Sequence, residues 1–249
     1  MEKTILITGA TSGIGKATAE IFAQQGARLI LCGRREERLK TLQKELDTPC
    51  HTLCFDVRDR QGVFSAIESL PSEWKTIDVL LNNAGNAHGL DPVEKASLDD
   101  WDAMIDSNVK GLMYVTKAVL PQMVERKKGH IINLGSIAGI EVYPKGNVYC
   151  ASKYAVDAFT QGLRIDLNPY NIRVSAIHPG LVETEFSEVR FKGDTQRAAQ
   201  VYATLDALQA EDVADAILYM AQCPPHVTVA DLTLLPTAQA NATIINRKE

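Results

Sequence analysis

Short apolar runs alternate with segments of helical period almost from end to end of this chain, and that alternation leaves few folds open. Lys3–Thr8, Arg28–Cys32, Cys50–Phe55, Ile77–Asn82, His130–Leu134, Ile172–Ile177 and Val227–Leu235 read as strands. Between them, Ser12–Gln25, Glu36–Leu46, Arg60–Leu70, Asp99–Arg126, Val148–Leu167 and Glu211–Ala221 read as helices. The longest early helix keeps its period through Trp101, Met104, Ile105, Val109, Leu112, Val115, Val119 and Met123, and Pro121 should bend or break it near its end. Such alternation predicts an α/β chain: a doubly wound parallel sheet of about seven strands with helices on both faces. With no repeat or linker, residues 1–249 are expected to form a single domain. Pro179–Asp194 is irregular, with a short helix possible beyond it. A stretch this long beside a sheet edge suits a binding loop, so a substrate lid is expected at about 180–205 and a C-terminal tail at 236–249.

Composition narrows the function. A net charge of −5 and a pI near 5.6 argue against a general nucleic-acid binder. Met1-Glu2-Lys3 runs straight into a strand too short to be the core of a signal peptide, and no stretch reaches membrane-spanning length. The five cysteines are odd in number and lack C-x-x-C spacing, which suits buried or inert thiols in a reducing cytoplasm. No metal site is expected.

The first strand runs into Gly9-Ala10-Thr11-Ser12-Gly13-Ile14-Gly15 and then a helix. Glycines there let backbone approach a pyrophosphate, and the helix N-terminus offers it free N–H groups. The spacing is G-x-x-x-G-x-G. It does not fit a phosphate-loop NTPase, because Ala10 and Ala17 stand where that loop needs Gly and Ser/Thr. After the second strand comes Gly33-Arg34-Arg35. An NAD site usually has a carboxylate there for the ribose 2′-hydroxyl, whereas guanidinium groups suit a 2′-phosphate, so NADP is the expected cofactor. Asp56-Val57 is placed to meet the adenine, and Asn83-Ala84-Gly85 to let backbone pass close to its ribose.

Tyr149 and Lys153, four residues apart on one helix, share a face, with Ser136 thirteen residues upstream of the tyrosine. A nearby ammonium favours the phenolate, so a phenol that normally titrates near ~10 is expected to be tuned downward for proton transfer.

Thr8-Gly9-Ala10-Thr11-Ser12-Gly13-Ile14-Gly15, Asn82-Asn83-Ala84-Gly85, Asn108, Ser136, Tyr149-x-x-x-Lys153 and Pro179-Gly180, in this order, resemble the short-chain dehydrogenase/reductase family over the whole chain. The resemblance implies a Rossmann-type fold and an oxidoreductase. In it, Tyr149 is the general acid or base, Ser136 holds the substrate oxygen, and Lys153 holds the nicotinamide ribose and lowers the Tyr149 pKa. Asn108 helps hold a water linking Lys153 to solvent. Pro179, Gly180, Val182 and Thr184 belong to the segment lying along the nicotinamide and its phosphates. A closer likeness, carried by Gly33-Arg34-Arg35-x-Glu37-Arg38-Leu39, Val124-Glu125-Arg126, Gly146-Asn147-Val148-Tyr149 and Thr184–Asp194, is to a bacterial subgroup of NADP-dependent 3-hydroxy acid dehydrogenases. Its members include serine 3-dehydrogenases, L-allo-threonine dehydrogenases and malonic semialdehyde reductases. The implied substrate is a small 3-hydroxy or 3-oxo acid, whose carboxylate Arg190 or Lys192 would meet. The alternatives are a broad carbonyl reductase or a 3-oxoacyl-thioester reductase. A non-catalytic NADP-binding regulator is disfavoured by the intact catalytic set. His88 and His178 read as structural and Cys150 as packing. The resemblance also implies a homo-oligomer, a tetramer more than a dimer, built on the Asp99–Arg126 and Val148–Leu167 helices.

Overall fold

A computed structural model describes residues 3–248; Met1 and Glu2, before the first strand, and Glu249, the end of the tail, lie outside the described residues. Seven strands form one sheet: β1 Thr4–Thr8, β2 Arg28–Gly33, β3 Cys50–Cys54, β4 Val79–Asn82, β5 Gly129–Leu134, β6 Ile172–Pro179 and β7 Asp231–Leu234. Their spatial order is β3-β2-β1-β4-β5-β6-β7, and every pairing is parallel.

The period of two along each strand sorts the core into two halves. Ile5, Ile7, Leu29, Leu31, Val79 and Leu81 pack on one face. They meet Phe22 of α1 (Gly13–Gln24), Leu39 of α2 (Glu36–Glu45) and Ile217 of α9 (Ala210–Gln222). Leu6, Ile30, Leu80, Ile131 and Val174 pack on the other, against Val63 of α3 (Arg60–Glu68), Val119 of α5 (Leu112–Arg126) and Leu163 of α6 (Asn147–Leu167). Parallel strands covered on both faces need apolar residues at successive positions, and that requirement is what made them legible as unbroken runs.

Three expectations need correction. The helix foreseen over Asp99–Arg126 is α4 (Leu98–Ile105), a π-helical turn at Asp106–Gly111, and α5. Pro121 neither breaks nor ends it. The carbonyl that the missing N–H leaves free belongs to Lys117, on the exposed side, and the helix runs on to Arg126. It stops because Lys127 turns left-handed (φ 49°) and Lys128 N–H bonds back to Met123 O at 3.1 Å. The last strand is shorter than Val227–Leu235: only Asp231–Leu234 pairs with β6, and Val227 N–H is spent on a turn onto Pro224 O. The irregular stretch Pro179–Asp194 contains a short helix, α7 (Phe186–Arg190), and is followed by α8 (Thr195–Tyr202).

The tail from Pro236 packs on its own chain. Gln239 Oε1 accepts from Leu181 N–H at 2.8 Å, and Arg247 donates to the Ala203 and Val201 carbonyls at the end of α8. No helix among the described residues is long and apolar enough to cross a membrane.

Candidate active site

The order of strands creates the site. The chain leaves β1 toward β2, and β4 is added on the opposite side of β1. The loops after β1 and β4 therefore part, and a crevice opens at their carboxyl ends. A cleft of about 380 Å³ lies there.

The glycine turn forms its floor. Gly9 has φ 65°, and a Cβ on Gly15 would stand 2.3 Å from the Gly9 carbonyl oxygen, so neither position accepts a side chain without rebuilding the turn. The β4 turn is tied to it: Asn83 Nδ2 donates to the Thr8 and Gly9 carbonyls, and Thr8 Oγ1 accepts from the Asn83 and Ala84 N–H groups. Of the residues expected at a dinucleotide, Gly9, Thr11, Ser12, Gly13, Ile14, Arg34, Arg35, Asp56, Val57, Asn83, Ala84, Gly85 and Thr184 line this cleft. Ala10 does not, being fully buried beneath the turn, and Gly15 sits behind Gly9. Pro179 is the buried end of β6, Gly180 N–H bonds to Leu234 O, and Val182 bridges Leu208, so none of these three lines the cleft.

The proposed catalytic residues meet beside the cleft. Ser136 caps the single turn Ile137–Gly139, its Oγ accepting from Ala138 N–H at 3.1 Å. Tyr149 and Lys153 lie one turn apart on α6, both buried, with Lys153 Nζ 6.0 Å from the Tyr149 ring centre. Asn108 sits inside the π-helical turn. Its amide bonds both backbone groups of Asn86 at 2.8 Å, and its Nδ2 also reaches Ser152 Oγ at 3.0 Å. An inserted residue in a helix re-aims a side chain, and here it faces Asn108 toward the β4 loop and α6 together.

The protonation energetics differ from the sequence expectation. Burial pushes the Tyr149 phenol above its ordinary range, with Tyr143 adding to the rise, while a hydrogen bond with Ser136 and the charge of Arg190 oppose it. The side chains on their own therefore raise this phenol, and the expected depression by Lys153 is not found. Lys153 is itself desolvated, its pKa lowered to about 8, and its Nζ donates to the Leu134 carbonyl at 2.9 Å.

The segment after β6 closes over this centre. Thr184 touches the glycine turn, its Cβ lying 3.2 Å from where a Gly13 Cβ would stand. The Phe186 ring is 5.7 Å from that of Tyr149. Arg190 bonds Gly89 O through Nε at 2.9 Å and places its guanidinium 5.7 Å from the Tyr143 and Tyr149 ring centres. No carboxylate among the described residues forms an ion pair with Arg190, whereas Lys192 is held by Asp100 at 2.9 Å.

His88 lines the cleft, with its pKa lowered chiefly by burial. His178 is buried away from the cleft lining, 3.8 Å from both Asp157 and Asp231, and Arg164 already pairs with Asp231. Cys150 is buried in the small cluster around Tyr149, as packing. Sequence reasoning missed Glu185, which bonds Arg35 and Arg38, as well as Arg58, which holds Asp56, and Phe186. Glu185 and Phe186 belong to the Thr184–Asp194 stretch that carries the closer likeness, which gave neither a role of its own, and Arg58 carries no motif signal.

Known proteins resemble the chain throughout. The sequence pattern of the short chain dehydrogenase family matches residues 3–195. An NADP-dependent 3-hydroxy acid dehydrogenase of Salmonella typhi is 48% identical over 239 residues, 96% of each chain. Sulfoacetaldehyde reductase 2 of Chromohalobacter salexigens is 48% identical over 243 residues, again 96% of each. The closed form of a serine dehydrogenase complexed with NADP+ superposes with a TM-score of 0.95 at 47% identity, covering 99% of this chain and 100% of that one.

Proposed function

This chain belongs to the short-chain dehydrogenase family, and we propose that it is the NADP-dependent oxidoreductase that interconverts a small 3-hydroxy acid with its 3-oxo acid. Serine, L-allo-threonine and 3-hydroxypropionate are the substrates to test. The observation that carries the substrate class is Arg190, a guanidinium without a carboxylate partner standing 5.7 Å from the Tyr149 ring. A substrate anion held there would bring its β-carbon oxygen toward Ser136 and Tyr149. The relatives named for a hydroxy acid and for sulfoacetaldehyde share an anionic small-molecule substrate, which the same arginine suits.

The cleft fits the cofactor in three respects. Its glycine turn is a cradle that a Cβ at Gly15 would fill, its β1–β4 crevice is where such sheets bind dinucleotides, and Arg34 and Arg35 replace the usual carboxylate at the end of β2. When bound, NADP supplies or accepts the hydride. The protein does the rest. The glycine turn and α1 N-terminus hold the pyrophosphate, and Arg34 and Arg35 take the 2′-phosphate. Ser136 Oγ and the Tyr149 hydroxyl hold the substrate oxygen. Tyr149 gives that oxygen its proton in reduction and takes it in oxidation. A phenol raised by burial is a competent acid for reduction. Oxidation needs the phenolate, so a positive charge must oppose the burial. Lys153, whose lowered pKa lets it pass a proton near neutrality, would relay it between Tyr149 and solvent, with Asn108 helping to hold the linking water. Oligomerisation through α5 and α6 belongs to the same proposal, supported by exposed Tyr154 and Ile165 on α6.

The test is a spectrophotometric panel at 340 nm with NADP+ or NAD+, the 3-hydroxy acids and uncharged secondary alcohols. NADP+ reduction confined to the acids is expected. Tyr149→Phe should cut turnover by about 10²–10⁴-fold with NADPH binding unchanged. Arg190→Ala should raise KM for the acids by about tenfold and leave KM for NADP+ unchanged. Equal KM values in that variant would remove the carboxylate role.

A further inference from the structure

Arg34 and Arg35, assigned above to the 2′-phosphate, are already engaged by acceptors of this chain. The Arg34 guanidinium lies 3.6 Å from Asp56. Arg35 gives Nε and one terminal nitrogen to Thr11 Oγ1, at 3.2 and 2.9 Å, and the same nitrogen to Ser12 Oγ at 2.9 Å. Its other terminal nitrogen goes to Glu185 at 3.1 Å. Arg38, three residues along α2, donates to both oxygens of that same carboxylate at 2.9 and 3.2 Å. Glu185 reaches them from the facing wall of the cleft, 150 residues further along the chain. An anionic oxygen pair is thus held by two guanidinium groups, one of them braced on two hydroxyls, and that donor set is the one a phosphate monoester requires.

We propose that Glu185 is a specificity-determining residue that competes with the 2′-phosphate of the dinucleotide for Arg35 and Arg38. The preference for the phosphorylated cofactor is then set by displacement of an internal carboxylate as well as by the arginines. The inference rests on the NADP reading of the cleft.

The charges set the direction. A phosphate monoester carries about −1.5 to −2 at neutral pH against −1 for Glu185, so the phosphate takes the arginines, but it breaks contacts already made and faces a like charge beside it. A nicotinamide dinucleotide without that phosphate does neither. Neutralising Glu185 therefore strengthens phosphorylated ligands selectively. Glu185 is half-exposed, and its partners reach it through side chains, so its replacement leaves the sheet and core contacts in place.

Calorimetric titration of adenosine 2′,5′-bisphosphate and adenosine 5′-monophosphate isolates this phosphate, since the two ligands differ in nothing else. Glu185→Gln should bind the bisphosphate about tenfold more tightly than wild type, more so at low salt, and the monophosphate within about twofold. Bisphosphate affinity equal to or weaker than wild type would overturn the proposal and make Glu185 a strut that holds Arg35 in place. The NADP reading is judged separately, from wild type alone: no preference for the bisphosphate there would refute it. Gain of that preference in the variant would still support competition, and its absence from both proteins would end both ideas.

Discussion

Replacing Lys153 by methionine should make the protein more stable while ending its turnover. Lys153 is 6% exposed, and burial lowers its pKa from 10.5 to about 8. At 1.36 kcal/mol per unit, holding that ammonium inside the fold costs ~3 kcal/mol, to the nearest kcal or so. Methionine keeps most of the stem's packing and carries no charge. It also deprives the Leu134 carbonyl of its 2.9 Å donor, a loss of ~1–2 kcal/mol. Near pH 7 the net is a gain of ~1–2 kcal/mol, or about 2–8 °C in Tm for a chain of this size. The pH dependence identifies the cause. Below the folded value of about 8 both folded and unfolded wild type carry the proton, and the cost is constant. Between about 8 and 10.5 the unfolded chain holds a proton that the folded one has shed, so wild type gains stability as pH rises. The variant does not follow, so its advantage shrinks across that window and reverses near its upper end, where only the lost hydrogen bond remains. Urea denaturation followed by tryptophan fluorescence, at one protein concentration and at about pH 7 and pH 9.5, measures both points. A variant less stable than wild type at the lower pH, or a difference that does not change with pH, would refute the desolvation argument.

Two further changes probe the scaffold. Gly15→Ala puts a methyl group 2.3 Å from the Gly9 carbonyl oxygen and should abolish dinucleotide binding by calorimetry while far-ultraviolet circular dichroism keeps the α/β signal. His130, buried against Ser175 with its pKa lowered to about 3, chiefly by desolvation, stays neutral in the fold but is protonated in the unfolded chain below about 6.5. It should therefore remove about 2–3 kcal/mol of stability between about pH 7.5 and 4.5, and His130→Gln should flatten the acid limb of the urea midpoint curve by that amount. An unchanged slope would mean that other groups drive acid unfolding.

What could be read before the structure was whatever a few neighbouring residues determine. Strand positions followed from apolar runs that both faces of a parallel sheet demand, and the glycine turn from a backbone that tolerates no Cβ at Gly15. The NADP-type cleft followed from Arg34 and Arg35 at the end of β2, because the chain order of a doubly wound sheet carries that point to the crevice. The π-helical turn stayed hidden because the apolar residues flanking it, Met104 and Leu112, keep roughly the helical period, and one inserted residue is lost in that average. Glu185 stayed hidden for a different reason. Its meaning lies in two arginines about 150 positions away, and no local pattern marks a glutamate in a loop as the partner of a phosphate site.

Tyr149 and Lys153 show where local reasoning stops. The four-residue spacing correctly puts them on one face of α6, since geometry along a helix is local. The sign of the tyrosine's shift is not local, because it depends on how much water the rest of the fold removes. Here the removal is nearly complete for both groups, so the phenol rises and the ammonium falls, each toward its neutral form. With a pKa of about 8 the lysine still carries its proton at neutral pH, so a charged ammonium stands beside a neutral phenol and does not offset the burial of that phenol. Desolvation therefore decides which group keeps its proton, and desolvation is a property of the whole fold around α6 that no four-residue spacing encodes.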